Sequence, residues 1–304
     1  MIRLAILALA AISIPVIAQT PVPAKPSLLT WPDLTKRLKP APDATIDYGT
    51  DQMQKIDVWL PKGKGPFPVV VMVHGGCWTT SIADRSLMNW IADDLRNSGV
   101  AVWNIDYRGV DRAGGGYPGT FADTANAADQ ITVNAKKFNL DTRHVVAIGH
   151  SAGGHLALWL AARPKLPATS PLRTANPLRI DHVISLGGLP DLEATAASPE
   201  NGCGVEVVAQ LVGKPTPQHP DVYADTSVPR LLPLGMKQDL INGREDRIIP
   251  FAMATDYVAK ANAAGDTATL HTIPATGHVE LIAPQTAAWA EAKRLILADL
   301  RKTK

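Results

Sequence analysis

Val145-Val146-Ala147-Ile148-Gly149-His150-Ser151-Ala152-Gly153-Gly154-His155 is the stretch on which the fold turns. The apolar run 145–148, closed by glycine, reads as a buried strand. Residues 152–162, rich in Ala and Leu, read as a helix. Ser151 therefore falls on a sharp strand-to-helix turn. Such a turn needs glycine on either side, because the backbone is strained and neighbouring side chains would collide with it. The geometry exposes Ser151 Oγ. It also aims the free N–H groups of the helix start, that of Ala152 first, at an anion forming beside the hydroxyl. Gly-x-Ser-x-Gly alone is a common pattern; its place between strand and helix makes it informative.

Outward from this turn the same alternation recurs. Apolar runs at 69–73 and 100–105 read as buried strands, and 182–186, 236–241 and 268–273 read as the later strands of the same pattern. Helical spacing covers 86–97, 121–138, 252–264 and 285–300. Strands alternating with helices imply an α/β fold with a mostly parallel sheet covered on both faces. Residues 190–233 break the rhythm with a long Pro-containing insertion, which we expect to cap the carboxyl ends of the strands with a short helix at 205–211. The catalytic domain is expected over 45–304.

The whole chain has 304 residues, 46% apolar and 19% charged, enough for a sizeable core. Its net charge of +2 comes without a basic stripe, so nucleic acid is not an expected partner. Residues 1–18 carry Arg3, then an apolar run over 4–14, and read as a cleaved signal peptide. That run is too short for a bilayer of about 30 Å, and Pro15 interrupts it, so no stable membrane span is expected after cleavage. Residues 19–44 read as a Pro-rich tether, and the location as periplasmic or secreted. The two cysteines, Cys77 and Cys203, would then lie where a disulfide can persist, either paired or as buried free thiols.

A serine hydroxyl needs an imidazole to take its proton, and the imidazole needs a carboxylate to hold its tautomer. Of eight histidines, His278 stands out, in a loop just after the last predicted strand. His74, His144, His150, His155, His182, His219 and His271 read as structural or solvated. Asp246, in the turn after the preceding strand, is the chosen carboxylate, with Glu245 and Asp239 as runners-up. Ser, Asp, His is also the chain order expected of this architecture. A second oxyanion donor is expected at Gly76 or Cys77 in His74-Gly75-Gly76-Cys77-Trp78, where glycine lets backbone N–H groups approach a substrate oxygen. Trp78 and Tyr117 are the candidates for substrate contact. Gly114-Gly115-Gly116-Tyr117-Pro118-Gly119 formally fits a dinucleotide loop, but Pro118 and the distance from the strand argue against it. No metal-ligand motif or phosphate-binding Gly-Lys-Ser/Thr loop occurs, so no cofactor or metal is expected.

These motifs, together with Asp106-Tyr107-Arg108-Gly109 and the 243–250 loop, resemble the α/β-hydrolase superfamily, in particular its esterase and arylformamidase-like branch with an H-G-G-x-W loop. The resemblance implies an eight-stranded sheet, a triad of Ser151, Asp246 and His278, and oxyanion donors at Ala152 and at Gly76 or Cys77. The expected activity is hydrolysis of small to medium carboxylic esters through an acyl-enzyme on Ser151. An amidase, arylformamidase or peptidase would use the same triad. A silent scaffold used for binding is the expectation from another class.

Overall fold

The computed structural model describes residues 27–301, so the expected signal peptide lies outside the described residues. Eight strands, β1 Ala44–Asp47, β2 Lys55–Trp59, β3 Phe67–Val73, β4 Ala101–Ile105, β5 Leu140–His150, β6 His182–Leu186, β7 Lys237–Gly243 and β8 Thr267–Ile273, form one sheet. Their spatial order is β1-β2-β4-β3-β5-β6-β7-β8, and β2 runs antiparallel to both its neighbours while every other pairing is parallel. The helices are α1 Trp31–Thr35, α2 Asn89–Asn97, α3 Gly119–Phe138, α4 Ala152–Ala162, α5 Leu192–Ala197, α6 Val205–Val212, α7 Ala252–Ala263 and α8 Ala287–Arg301. This is the α/β-hydrolase fold.

Strand alternation divides the core in two. Val69, Val71 and Val73 of β3 face a layer that includes Phe121 of α3, Leu156 of α4 and Tyr257 of α7. Val70 and Met72 face the other layer, with Ile91 and Leu95 of α2 and Trp289 and Ile296 of α8. Because the central strand β3 is covered on both sides, residues 69–73 form an unbroken apolar run. Helix α4 is buried along its whole length, which is why it is apolar all round.

The chain turns from β4 on one side of β3 to β5 on the other. A crevice at the carboxyl ends of adjacent strands opens where strand order reverses in this way. The loops after β3, β5, β7 and β8 carry the motifs singled out above.

The tether expected over 19–44 is corrected in its described part. Residues 31–35 form a helix, with Thr30 N–H donating to Asp33 Oδ2 at 2.7 Å, and Leu34 is fully buried against the α2/α8 layer. Proline density suggested an extended linker, but Pro32 sits in the first turn, where a helix tolerates it. Among the described residues no helix is long and apolar enough to cross a membrane.

Candidate active site

Ser151 sits between the last residue of β5 and the first of α4 with φ 55° and ψ −124°, a conformation costly for a non-glycine residue. Its N–H donates to Leu186 O at 2.8 Å, which anchors the turn on the end of β6. Gly153 is required by close approach, since a Cβ there would lie 2.2 Å from Val73 O and 2.4 Å from His74 O. The sharp turn thus pushes the start of α4 against the end of β3. Ala152 opens α4, so its N–H lacks an intrahelical acceptor.

His278 Nδ1 donates to Asp246 Oδ2 at 2.7 Å, and both side chains are almost fully buried. The other carboxylate oxygen, Asp246 Oδ1, accepts from Ile248 N at 2.8 Å and Ile249 N at 3.0 Å. The carboxylate is held by its own turn, and it holds the imidazole with Nδ1 protonated. That leaves Nε2 as the nitrogen able to accept a proton. Beside it, His150 Nε2 donates to His278 O at 3.1 Å, with the two rings 4.4 Å apart. Burial, and then the neighbouring His278, push the His150 imidazole well below its usual range, so it stays neutral against the site.

The loop after β3 lies alongside. A Cβ on Gly75 would come within 3.0 Å of Ser151 Cβ and 2.9 Å of His150 O, so only a glycine brings this backbone so near the hydroxyl. Gly76 and Cys77 follow with φ 101° and 52°. The loop is braced from behind: His74 Nε2 donates to Asp106 Oδ1 at 2.9 Å, and Arg85 Nη1 donates to Asp106 Oδ2 at 3.0 Å. Cys77 is bonded to Cys203, with Cα atoms 5.3 Å apart, so the loop is also tied to the 190–233 insertion.

Ser151, His278, Gly76 and Cys77 all line one cavity of about 350 Å³. Trp31, Ile82, Leu87 and Ile248 complete much of its wall and make it mainly apolar. The arrangement places a hydroxyl, a base and bare backbone N–H groups around space large enough for a small organic group.

Residues 56–260 match the BD-FAE family. The chain belongs to that family. Among the relatives of this BD-FAE protein, esterase LipC of Mycobacterium tuberculosis is 28% identical over 222 residues, covering 71% of this chain and 54% of LipC. Versiconal hemiacetal acetate esterase of Dothistroma septosporum is 31% identical over 140 residues, 43% of this chain and 41% of that protein. The chain thus spans about half the length, or less, of these curated relatives. A solved structure described as a truncated form of carbohydrate esterase from gut microbiota superposes with a TM-score of 0.71 at 20% identity, covering 86% of this chain and 98% of its own. That likeness concerns the fold.

The two substrate-contact expectations for this BD-FAE chain are corrected. Trp78 does not face the substrate space: it is fully buried in the core layer of Phe121 and Leu156, edge-on to His155 at 5.6 Å. Tyr117 lies away from the Ser151 cavity, donating to Asp225 Oδ2 at 3.0 Å and stacking on His219 at 4.2 Å. The 190–233 insertion reaches the cavity wall only at Gly202, while its later part packs against α4, where Thr226 O accepts from His155 Nε2 and Asp225 O from Trp159 Nε1. The runner-up Glu245 accepts from Thr276 N at 3.0 Å, and Asp239 serves His182 and His271. Among the described residues no three His, Cys, Asp or Glu side chains gather as a metal site would require.

Trp31, Ile82 and Leu87 are wall residues that the sequence reading missed. Trp31 stood in the presumed tether. The signal that could have found it is Thr30-Trp31-Pro32-Asp33, a helix start with proline in the first turn and an acid three residues after the cap.

Proposed function

We propose that this chain hydrolyses small to medium carboxylic esters through an acyl-enzyme on Ser151. The observation that carries the reading is the 2.7 Å Asp246–His278 hydrogen bond, on an imidazole that shares its cavity with a serine in strained backbone. Ser151 Oγ attacks the acyl carbonyl while His278 Nε2 takes the hydroxyl proton, and Asp246 stabilises the imidazolium. The carbonyl oxygen, now anionic, accepts from Ala152 N–H and from Gly76 or Cys77 N–H. The imidazolium returns its proton to the departing alkoxide, which leaves as the alcohol. Water then attacks the acyl-serine, His278 again serving as base, and the acid is released. The esterase names of the curated relatives support the ester as the scissile group.

Export is part of the same proposal. The apolar run at 4–14 and the Cys77–Cys203 bond support a periplasmic or secreted enzyme. N-terminal sequencing of the chain from an exporting host tests it, with a new terminus just after Ala18 expected.

The activity is tested with a panel of chromogenic esters and aryl amides. Wild type should turn over esters, and Ser151→Ala should lose about 10⁴-fold or more of kcat while keeping its fold. Turnover persisting in that variant would contradict the reading, and faster cleavage of amides than of esters would move the assignment to an amidase.

A further inference from the structure

One buried carboxylate ties the stretch ahead of the sheet to the loop that carries His278. Glu280, 6% exposed, accepts from Gly277 N at 3.0 Å through Oε2 and from Leu29 N through Oε1. Gly277 directly precedes His278, and Leu29 is two residues before Trp31. Downstream, Leu34 anchors α1 in the core. The segment bearing Trp31 is therefore pinned on both sides.

What the pinning positions is the indole. Trp31 meets the His150 and His278 rings edge-on, with centroids 6.2 and 6.3 Å away. It lines the Ser151 cavity of about 350 Å³ and also an adjoining cavity of about 500 Å³ that contains Arg247, Glu245 and Val279. The two cavities share Trp31, Ile248 and His278. The indole and the Ile248 side chain are thus the apolar elements common to both walls.

We propose that Trp31 is a specificity-determining residue that ends the acyl space of the Ser151 cavity, so that the length of acyl chain accepted is set by a segment outside the sheet. The inference rests on the ester reading given above. A long acyl chain in wild type meets the indole, whereas a truncated residue 31 opens the Ser151 cavity into its neighbour. Each methylene that then finds apolar cover adds to transition-state binding, so the gain falls on long esters and not on short ones.

The test is kcat/KM of the full chain on p-nitrophenyl acetate, butyrate and octanoate, for wild type, Trp31→Ala, Trp31→Phe and Ile248→Ala. The octanoate-to-acetate ratio should rise at least about tenfold in Trp31→Ala, rise in the same direction in Ile248→Ala, and stay near wild type in Trp31→Phe. Ile248→Ala changes the partition from a different element, so it decides the matter if Trp31→Ala does not fold. Equal loss on all three esters, or an unchanged ratio in folded variants, would overturn the proposal while leaving the ester reading in place. A wild type that hydrolyses none of the three would overturn the ester reading, and this inference with it.

Discussion

Two aspartates near opposite ends of β7 bind histidines from neighbouring elements, and their surroundings differ in one respect. Asp246, just beyond the carboxyl end, binds His278 alone and takes its remaining hydrogen bonds from its own backbone turn. Asp239, inside the strand, binds His182 at 2.7 Å, His271 at 2.8 Å and Lys237 at 2.6 Å. The far nitrogens there also meet acids: His271 Nδ1 lies 3.1 Å from Glu291, and His182 Nδ1 lies 3.2 Å from Asp299. Both Glu291 and Asp299 belong to α8, so this cluster fastens a helix to the sheet. Of the two, the His278 pair borders the Ser151 cavity. The Asp246 pair thus stands at the cavity wall, where the proposed chemistry needs it, while the Asp239 cluster lies between the sheet and α8.

The sharpest way to break this contrast is to neutralise each aspartate in turn. Asp246→Asn should lower kcat by about 10⁴-fold through the wrong tautomer of His278, with little change in the unfolding midpoint. A loss of less than tenfold on the best ester would remove Asp246 from the proposed triad. The disulfide belongs to the site side of the comparison. Cys203→Ser opens a loop of 126 residues and should cost roughly 4–5 kcal/mol in the chain-entropy account, read from urea unfolding. An unchanged midpoint would show that the bond carries no stability. On the far side, Asp239→Asn should cost about 3–5 kcal/mol, because it leaves the buried His182 without its carboxylate partner, while folded protein keeps wild-type turnover. A stable but inactive Asp239→Asn would reverse the assignment of the two pairs.

Acid separates the regions by a smaller effect. Burial lowers His155 to about 4 and drives His150 well below its usual range. The unfolded chain binds their protons near about 6.5, before the folded one does, so stability present at neutral pH falls as pH drops from about 6.5 toward 4. Each such group contributes about 1.4 kcal/mol per pH unit in that window. Burial alone would raise Asp239, but hydrogen bonds from His182, Lys237 and His271 outweigh it and hold the carboxyl well below the usual range. Its contribution is present above the unfolded value of about 3.9 and is lost only as pH falls below that. Urea unfolding at pH 7 and pH 5 should show a shallower loss in His155→Gln than in wild type; equal losses would contradict the burial argument.

The same contrast marks what could be read from sequence. The central strands β3, β4 and β5 were legible because parallel strands buried on both faces carry apolar runs, as at the Val69–Ala101 and Val71–Ala147 pairings. Strands β1 and β2 were not, since Ala-Thr-Ile-Asp is a short strand with alternating exposure at the sheet edge. Ser151 announced itself by its turn, and His278 and Asp246 by falling in loops after strands. Asp239 and Asp246 could be separated only by seeing what else their histidines touch. Trp78 was misplaced because neighbourhood in sequence to the loop after β3 says nothing about which way a side chain points, and its indole is fully buried in the core. Trp31 was missed because the segment that bears it is held by a carboxylate 251 residues from Leu29, and no local pattern carries that.

The most direct measurement is intact-mass and peptide mapping after a fluorophosphonate reacts with the folded protein. The account predicts one adduct, on Ser151, absent in Ser151→Ala and formed far more slowly in His278→Ala. Folded wild type that remains unlabelled, or is labelled on another residue, would contradict it.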